Sequence, residues 1–494
     1  MNARRNWLVI ISVLLVLAGE GALGAGPVVM TSSGELHGVR ESGRMVFKGI
    51  PYAMPPIGRY RWHAPRAVKS GLIAATDYGA PCVQPQIVHS SEDCLFLNVW
   101  TNGLDDQARP VMVWIHGGGF RAGSGNIDGH AFADRDVVVV SLNYRLGPLG
   151  FFAHPELDGT ANFGLLDMIA ALEWVQSNVA AFGGDADNVT IFGVSAGGQA
   201  VNLLMASPLA RGLFHRAIAQ SGYGTWPLPR LKGAQGRWLK GWGGRPVPKA
   251  EEVSRDITRL FSPQNDRLVA LRNLDAAKLA GALSGFQLPI VDGISLPDEP
   301  AVVFMAGNQA PVPYMTGGNS WEGSIAAYAG ASPELAEEFS YARKQVETLY
   351  AKDPPERMWH RVFGDMRYVL SAHFLGQIME GAGGVAWTYF VDFVPAAYSE
   401  QWPGTPHGAE TQFLFSGEDA ADPALQALAT RMQDYWVSFA RSGDPNGDGR
   451  RQWPATQAGA PAWLVFSDQD SVQAAPLGAK LSFLTEHYIR RHRD

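Results

Sequence analysis

The sequence predicts an α/β protein built on a mostly parallel central sheet with helices over both faces. Three observations support that class. Apolar, β-branched runs recur, as in LFLNVW (95–100), VMVWIH (111–116) and VVVVSLNY (137–144), and continuous runs of this kind suit strands buried on both faces. Segments with apolar residues at helical spacing stand between such runs. Strands and helices alternate along the chain, the order that a parallel sheet with crossover helices demands. The chain has 494 residues, 46% hydrophobic and 18% charged, with a formal net charge of −7. That composition supplies a sizeable core and no basic patch on the scale that nucleic acid needs.

From the N-terminus, MNARR is a positive stretch, WLVIISVLLVLAG an apolar one, and ALGAG offers small residues for cleavage. Residues 1–25 read as an export signal that is removed, with an uncleaved anchor helix as the alternative. The apolar run is short for a membrane span. The mature chain, 26–494, is therefore expected in the periplasm or secreted, with no stable membrane span. GELHGV and MVFKGIP read as two strands of an N-terminal hairpin, and the three apolar strands follow. FGLLDMIAALEWVQSNVAAFGG (163–184) places Leu165, Leu166, Ile169, Leu172 and Val175 at helical spacing and stops at Gly183–Gly184. NVTIFG is the next strand, AGGQAVNLLMA a helix, and RAIAQSG (216–222) another strand.

Residues 223–250 are rich in Gly, Pro, Trp, Arg and Lys and read as an irregular excursion; 250–285 read as helical. This region, about 223–310, is expected as a cap inserted over one end of the sheet. VPYMTGGNS (312–320) and GVAWTYFVDF (384–393) return to strands, 424–441 is a helix, and AWLVFS (462–467) a last strand. The two cysteines, Cys82 and Cys94, lie downstream of an export signal, and an oxidising compartment favours a disulfide. Closing so short a loop contributes roughly 3 kcal/mol on a chain-entropy account. A metal site or a catalytic thiol lacks neighbouring ligands or a base.

Residues 192–198, FGVSAGG, place a serine between glycines, after a strand and before a helix. This is the layout of a nucleophile elbow. Side chains at Gly193 and Gly197 would crowd neighbouring backbone, and glycine relieves that. Ser195 is left exposed at a helix N-terminus, which favours developing negative charge. A serine hydroxyl needs a base. His407, in PGTPHGAE, follows a strand by a Pro/Gly-containing loop; His373 lies in an apolar helical stretch, and His360 sits beside Trp359 without a loop signal. The acid candidate is Glu322 in GGNSWEG, with Glu410 a competitor three residues from His407. HGGGF (116–120) follows a strand. The amides of Gly118 and Gly119, with that of Ala196, could form a three-donor oxyanion hole, in which one donor is worth about 3 kcal/mol. The plainer alternative is a flexible turn.

Together these residues resemble the type-B carboxylesterase and cholinesterase family of α/β-hydrolases. FKGIPYAMPPIGRYRW, SEDCLFLNVW, PVMVWIHGGGF, LNYRLGPLGFF, the long block from NFGLLDM to VSAGG, FHRAIAQSG, GGNSWEGS and HGAE look like family blocks in family order. The resemblance implies Ser195 as acylated nucleophile, Glu322 as acid and His407 as base. It implies Gly118, Gly119 and Ala196 as the oxyanion hole, and Cys82–Cys94 as a disulfide. It also implies Arg61–Glu92 as a structural ion pair. Phe151 and Phe152 fall where the acyl pocket is lined, with plain core as the alternative. Val194 stands where the family usually has Glu, and the Cys82–Cys94 segment contains no tryptophan. Both departures argue against a cationic, choline-like substrate.

The implied reaction is acyl transfer from a small-molecule ester to water, with no metal and no organic cofactor. An alternative keeps the chemistry and takes a bulky multi-ester, lactone or polyester, with Trp226 and Trp402 lining a pocket. A more distant alternative is a non-catalytic binding protein of the same family. DPNGDG (444–449) imitates the start of a calcium loop, but position twelve is Ala455, where a bidentate Glu would be needed. NVT (188–190) fits a glycosylation sequon but opens a strand expected to be buried.

Overall fold

In a computed structural model, which describes residues 26–68, 71–157, 159–234, 247–262, 264–282, 285–329, 332–415, 421–457 and 459–493, two sheets organise the chain. The expected export signal, 1–25, and part of the excursion, 235–246, lie outside the described residues. The strands are β1 (Val28–Thr31), β2 (Gly34–His37), β3 (Val39–Glu41), β4 (Arg44–Pro51), β5 (Leu72–Ala74), β6 (Phe96–Thr101) and β7 (Arg109–Ile115). They continue with β8 (Val138–Leu142), β9 (Gly184–Val194), β10 (Arg216–Gln220), β11 (Tyr314–Asn319), β12 (Ala386–Val391), β13 (Trp463–Phe466) and β14 (Ser471–Gln473).

The large sheet has 11 strands in the order β14-β13-β12-β11-β10-β9-β7-β8-β6-β4-β3. From β13 to β8 every neighbouring pair is parallel, and the antiparallel pairs sit at the two ends. This is the α/β architecture that the apolar runs predicted. Alternate residues of the central strands go to opposite cores. Val111, Val113, Ile115, Ile191, Ala217 and Ala219 pack with the helices Phe163–Asn178 and Ala196–Ala206. Met112, Trp114, Phe192, Ile218 and Met315 pack with the helix Pro423–Ser442. A strand buried on both faces has no polar side to show, hence the unbroken apolar runs.

The helix Phe163–Asn178 passes into a short 3-10 turn, Val179–Phe182, and stops at Gly183, whose φ of 75° is left-handed. Asp167, inside this helix and fully buried, pairs with Arg145 through both carboxylate oxygens at 2.7 Å. Cys82 and Cys94 form a disulfide. Beside it Arg61 holds Glu92 through two hydrogen bonds of 2.7 and 2.6 Å.

Two expectations need correction. GELHGV and MVFKGIP do not form one hairpin: β2 pairs with β1, and β4 with β3. The Gly-containing link at Gly38 turns the chain from the small sheet to the large one, so each strand finds its own partner. AWLVFS is not the last strand, because the polar segment β14 pairs antiparallel with it. As an edge strand, β14 has one partner and little apolar burial, so hydrophobicity does not announce it. The stretch read as helical, 250–285, holds three short helices, Ala250–Arg259, Leu268–Leu271 and Ala276–Ala282. Among the described residues no helix is long and apolar enough to cross a membrane.

Candidate active site

The carboxyl ends of parallel strands share one sheet edge, and loops leaving that edge can converge. Ser195 follows β9, the HGGGF segment follows β7, Ser221 follows β10, Glu322 follows β11, and His407 follows β12.

Ser195 has φ 58° and ψ −118°, a left-handed backbone for a residue that has a Cβ. Strain of this kind concentrates at functional turns. Its glycine neighbours make the turn possible: a Cβ at Gly193 or Gly197 would overlap the carbonyl oxygen of Ile115, and one at Gly198 that of Gln220. The turn is locked by Ser195 N–H donating to Gln220 O at 2.8 Å. Residues on either side of Ser195 are buried, whereas the serine itself is partly exposed. Although it caps the helix Ala196–Ala206, its hydroxyl makes no capping hydrogen bond.

That hydroxyl lies 2.7 Å from His407 Nε2. The other ring nitrogen, Nδ1, contacts Glu322 Oε2 closely. Glu322 is fully buried, and its Oε1 accepts from Asn319 N–H at 2.7 Å and from Ser221 Oγ at 2.6 Å. His407 N–H donates to Ser324 Oγ at 3.0 Å, and the Tyr368 ring stands 4.4 Å from the imidazole. The histidine is thus held at backbone, ring face and Nδ1. The structure brings together Ser195, Glu322 and His407, which 212 residues of chain separate end to end.

Glu410, the rival acid, does not touch His407. Its Oε1 lies 3.0 Å from Ser221 Oγ, and its Oε2 accepts from Asn319 Nδ2. Burial, and then the charge of Glu322, push its carboxyl up to about 7. His373 is a core residue near Trp463, and burial lowers it to about 4.

The HGGGF segment passes beside the serine: a Cβ at Gly117 would lie 3.3 Å from Ser195 Cβ. Gly118, Gly119 and Phe120 have φ of 104°, 65° and 52°, a run of left-handed conformations. Successive backbone amides in such a turn form a concavity for anions. The amides of Gly118 and Gly119 find no acceptor among the described residues. The Ala196 amide is the first of its helix and has no partner within it. Three free donors at one place can receive a developing oxyanion.

Of the pocket candidates, Phe151 is buried in the main core against Phe120, with ring centroids 5.1 Å apart. Phe152 stacks on Trp62 at 4.2 Å in a separate cluster. Trp226 packs edge-on to Phe363, and Trp402 stacks on Tyr398 within the loop between β12 and His407. Sequence reasoning did not single out Ser221, Asn319, Tyr368 or Phe286, whose ring fills the space a Cβ at Gly119 would take. The only available signal was the Ser-Gly that ends RAIAQSG, at the carboxyl end of a strand.

Comparison with known proteins bears on this geometry. The chain matches the Carboxylesterase family over residues 25–359 and 351–484. It is 31% identical to para-nitrobenzyl esterase of Bacillus subtilis, covering 92% of this chain and 97% of that protein. It is 31% identical to carboxylesterase 4A of Bos taurus, covering 91% and 94%. Among solved structures, a PNB esterase superposes with a TM-score of 0.80 at 30% identity, over 93% of this chain and 100% of that one. The sheet and its helices therefore form an α/β-hydrolase fold.

Proposed function

The chain belongs to the carboxylesterase family, and from that premise we propose that it is a serine carboxylic-ester hydrolase working through an acyl-enzyme. The observation that carries the reading is the 2.7 Å contact between Ser195 Oγ and His407 Nε2, with Glu322 on the opposite ring nitrogen. In the proposed cycle Ser195 Oγ attacks the ester carbonyl carbon as its proton passes to His407 Nε2. The carbonyl oxygen takes the negative charge and is held by the amides of Gly118, Gly119 and Ala196. Glu322 orients the ring and stabilises the imidazolium. Collapse breaks the bond to the alcohol, which leaves with the proton from Nε2. Water then gives a proton to His407, attacks the acyl-enzyme and releases the acid, restoring the hydroxyl. Every proton and bond in the cycle is supplied by these side chains, the ester and water.

We assign residues 1–25 as a removed export signal and 26–494 as one catalytic unit, with about 223–310 as its cap. The Cys82–Cys94 disulfide supports an oxidising destination, in the periplasm or outside the cell.

The test is covalent. Incubation with a serine-directed organophosphate should raise the intact mass by one adduct and abolish turnover of a simple ester. An adduct that forms equally on Ser195→Ala would defeat the assignment.

A further inference from the structure

Arg367 lies in the π-helical turn Asp365–Val369 and is 4% exposed. Its Nε and Nη2 meet no hydrogen-bond acceptor, and it forms no ion pair among the described residues. Its guanidinium is instead set among rings, 4.1 Å from the centroid of Tyr223 and 4.2 Å from that of Trp226. Tyr368 and Phe286 follow at 5.7 and 5.8 Å. Ring faces attract the cation, but they give Nε and Nη2 no acceptor in the guanidinium plane. The nearby phenols contact Arg367 but supply no counter-charge: burial raises both Tyr223 and Tyr368 against the opposing pull of Arg367's charge and side-chain hydrogen bond, so they stay neutral near pH 7. Asp365, in the same turn, answers to Tyr350, Arg361 and Lys480 instead.

A buried charge without a partner costs stability, and such departures are expected where function requires them. The location is telling. Tyr368 covers the His407 ring, and Phe286 lies on Gly119 of the oxyanion segment. The Arg367 guanidinium lies within 6 Å of both ring centroids, so it stands just behind the wall of the reaction centre. Single-turn π-bulges are common at functional sites. A planar fork with free donors matches a carboxylate.

We infer that Arg367 is a specificity-determining residue that receives a free carboxylate on the ester substrate, so that this enzyme selects anionic esters over neutral ones. The inference rests on the proposed Ser195 chemistry. The carboxylate can belong to the acid part, as in a half-ester of a dicarboxylic acid, or to the alcohol part.

The experiment measures kcat/KM by acid release at pH 7.5 for two pairs. Monomethyl adipate against methyl hexanoate carries the charge on the acid side, and 3-acetoxypropanoate against butyl acetate carries it on the alcohol side. One anionic member should be preferred by about tenfold or more, as for a desolvated charge-assisted pair. Arg367→Gln should erase that preference through KM while leaving the neutral ester within about threefold, and Arg367→Lys should restore part of it, lacking the fork. No anionic preference in either pair, or equal loss for charged and neutral esters in Arg367→Gln, overturns the inference. If Arg367→Gln does not fold, the wild type decides: adipate should compete with methyl hexanoate and adipamide should not. Equal inhibition by the two, or none, overturns it. Retained methyl hexanoate turnover in Ser195→Ala would instead sink the underlying reading.

Discussion

Glu322 and Glu410 share one hydroxyl: Ser221 Oγ lies 2.6 Å from Oε1 of Glu322 and 3.0 Å from Oε1 of Glu410. Two buried carboxyls this close do not both ionise easily. With Glu410 pushed up to about 7, a protonated Glu410 can donate to Ser221, which donates to Glu322, which contacts His407 Nδ1. The donors converge on Glu322, the carboxylate that holds the base.

The pH dependence of stability follows. Glu410 is raised above its ordinary value of 4.5, so between about pH 4.5 and 7 the native state holds a proton that the unfolded chain has lost. Stability from this group is then greatest below the window and falls as pH rises through it. Glu410→Gln keeps a donor and removes the titration. Urea melts at pH 5 and pH 7 should show a flatter pH slope for the variant; parallel slopes would refute the account.

Ser221→Ala removes the bridge and leaves both carboxyls one hydrogen bond short. We expect a loss of about 1–3 kcal/mol in unfolding free energy, the cost of an unsatisfied buried polar group. A fall in kcat should accompany it. Unchanged kcat with unchanged stability would show that the bridge is idle.

At the elbow, Gly197→Ala would drive a methyl into Ile115 O and the neighbouring His116 backbone. Backbone cannot step aside as a side-chain tip does, so overpacking of at least about 1–3 kcal/mol is expected. Thermal melts and organophosphate labelling should both decline. Wild-type melting and labelling would mean that the turn has room for a methyl at this position.

Gly119→Ala tests the oxyanion segment. The added methyl meets the Phe286 ring at a φ of 65°, so the amide is displaced even if the fold survives. Removing one such donor typically lowers kcat by about 10²–10³-fold. A change confined to KM would argue against an oxyanion role for Gly119.

The Cys82–Cys94 bridge closes a separation of 12 residues. Replacing both cysteines by serine should cost about 3 kcal/mol on the loop-entropy account, read as a lower urea midpoint. Midpoints that coincide would leave Arg61–Glu92, nearby, as the stronger tie.

Much of this protein is legible from residue order. β7, β8 and β9 were visible because strands covered on both faces must be apolar throughout. The elbow was visible because a turn that tight admits only glycine at set positions, and Gly193 and Gly197 mark it. The order serine, acid, histidine, each beyond a strand, marked Glu322 and His407 before any contact was known. Local chemistry determined these features, so a linear reading reached them.

Other features depend on what the rest of the chain brings alongside. Nothing around Glu410 in sequence says that its partner is Ser221, 189 residues away. Phe286 touches Gly119 and Arg367 touches Tyr223 only because the segments before β11 and β12 fold back over the same sheet edge. Whether Arg367 would find a carboxylate or only rings was likewise decided by packing. A side chain's charge is written in its code letter; its counter-charge, or the want of one, is a property of the space it occupies.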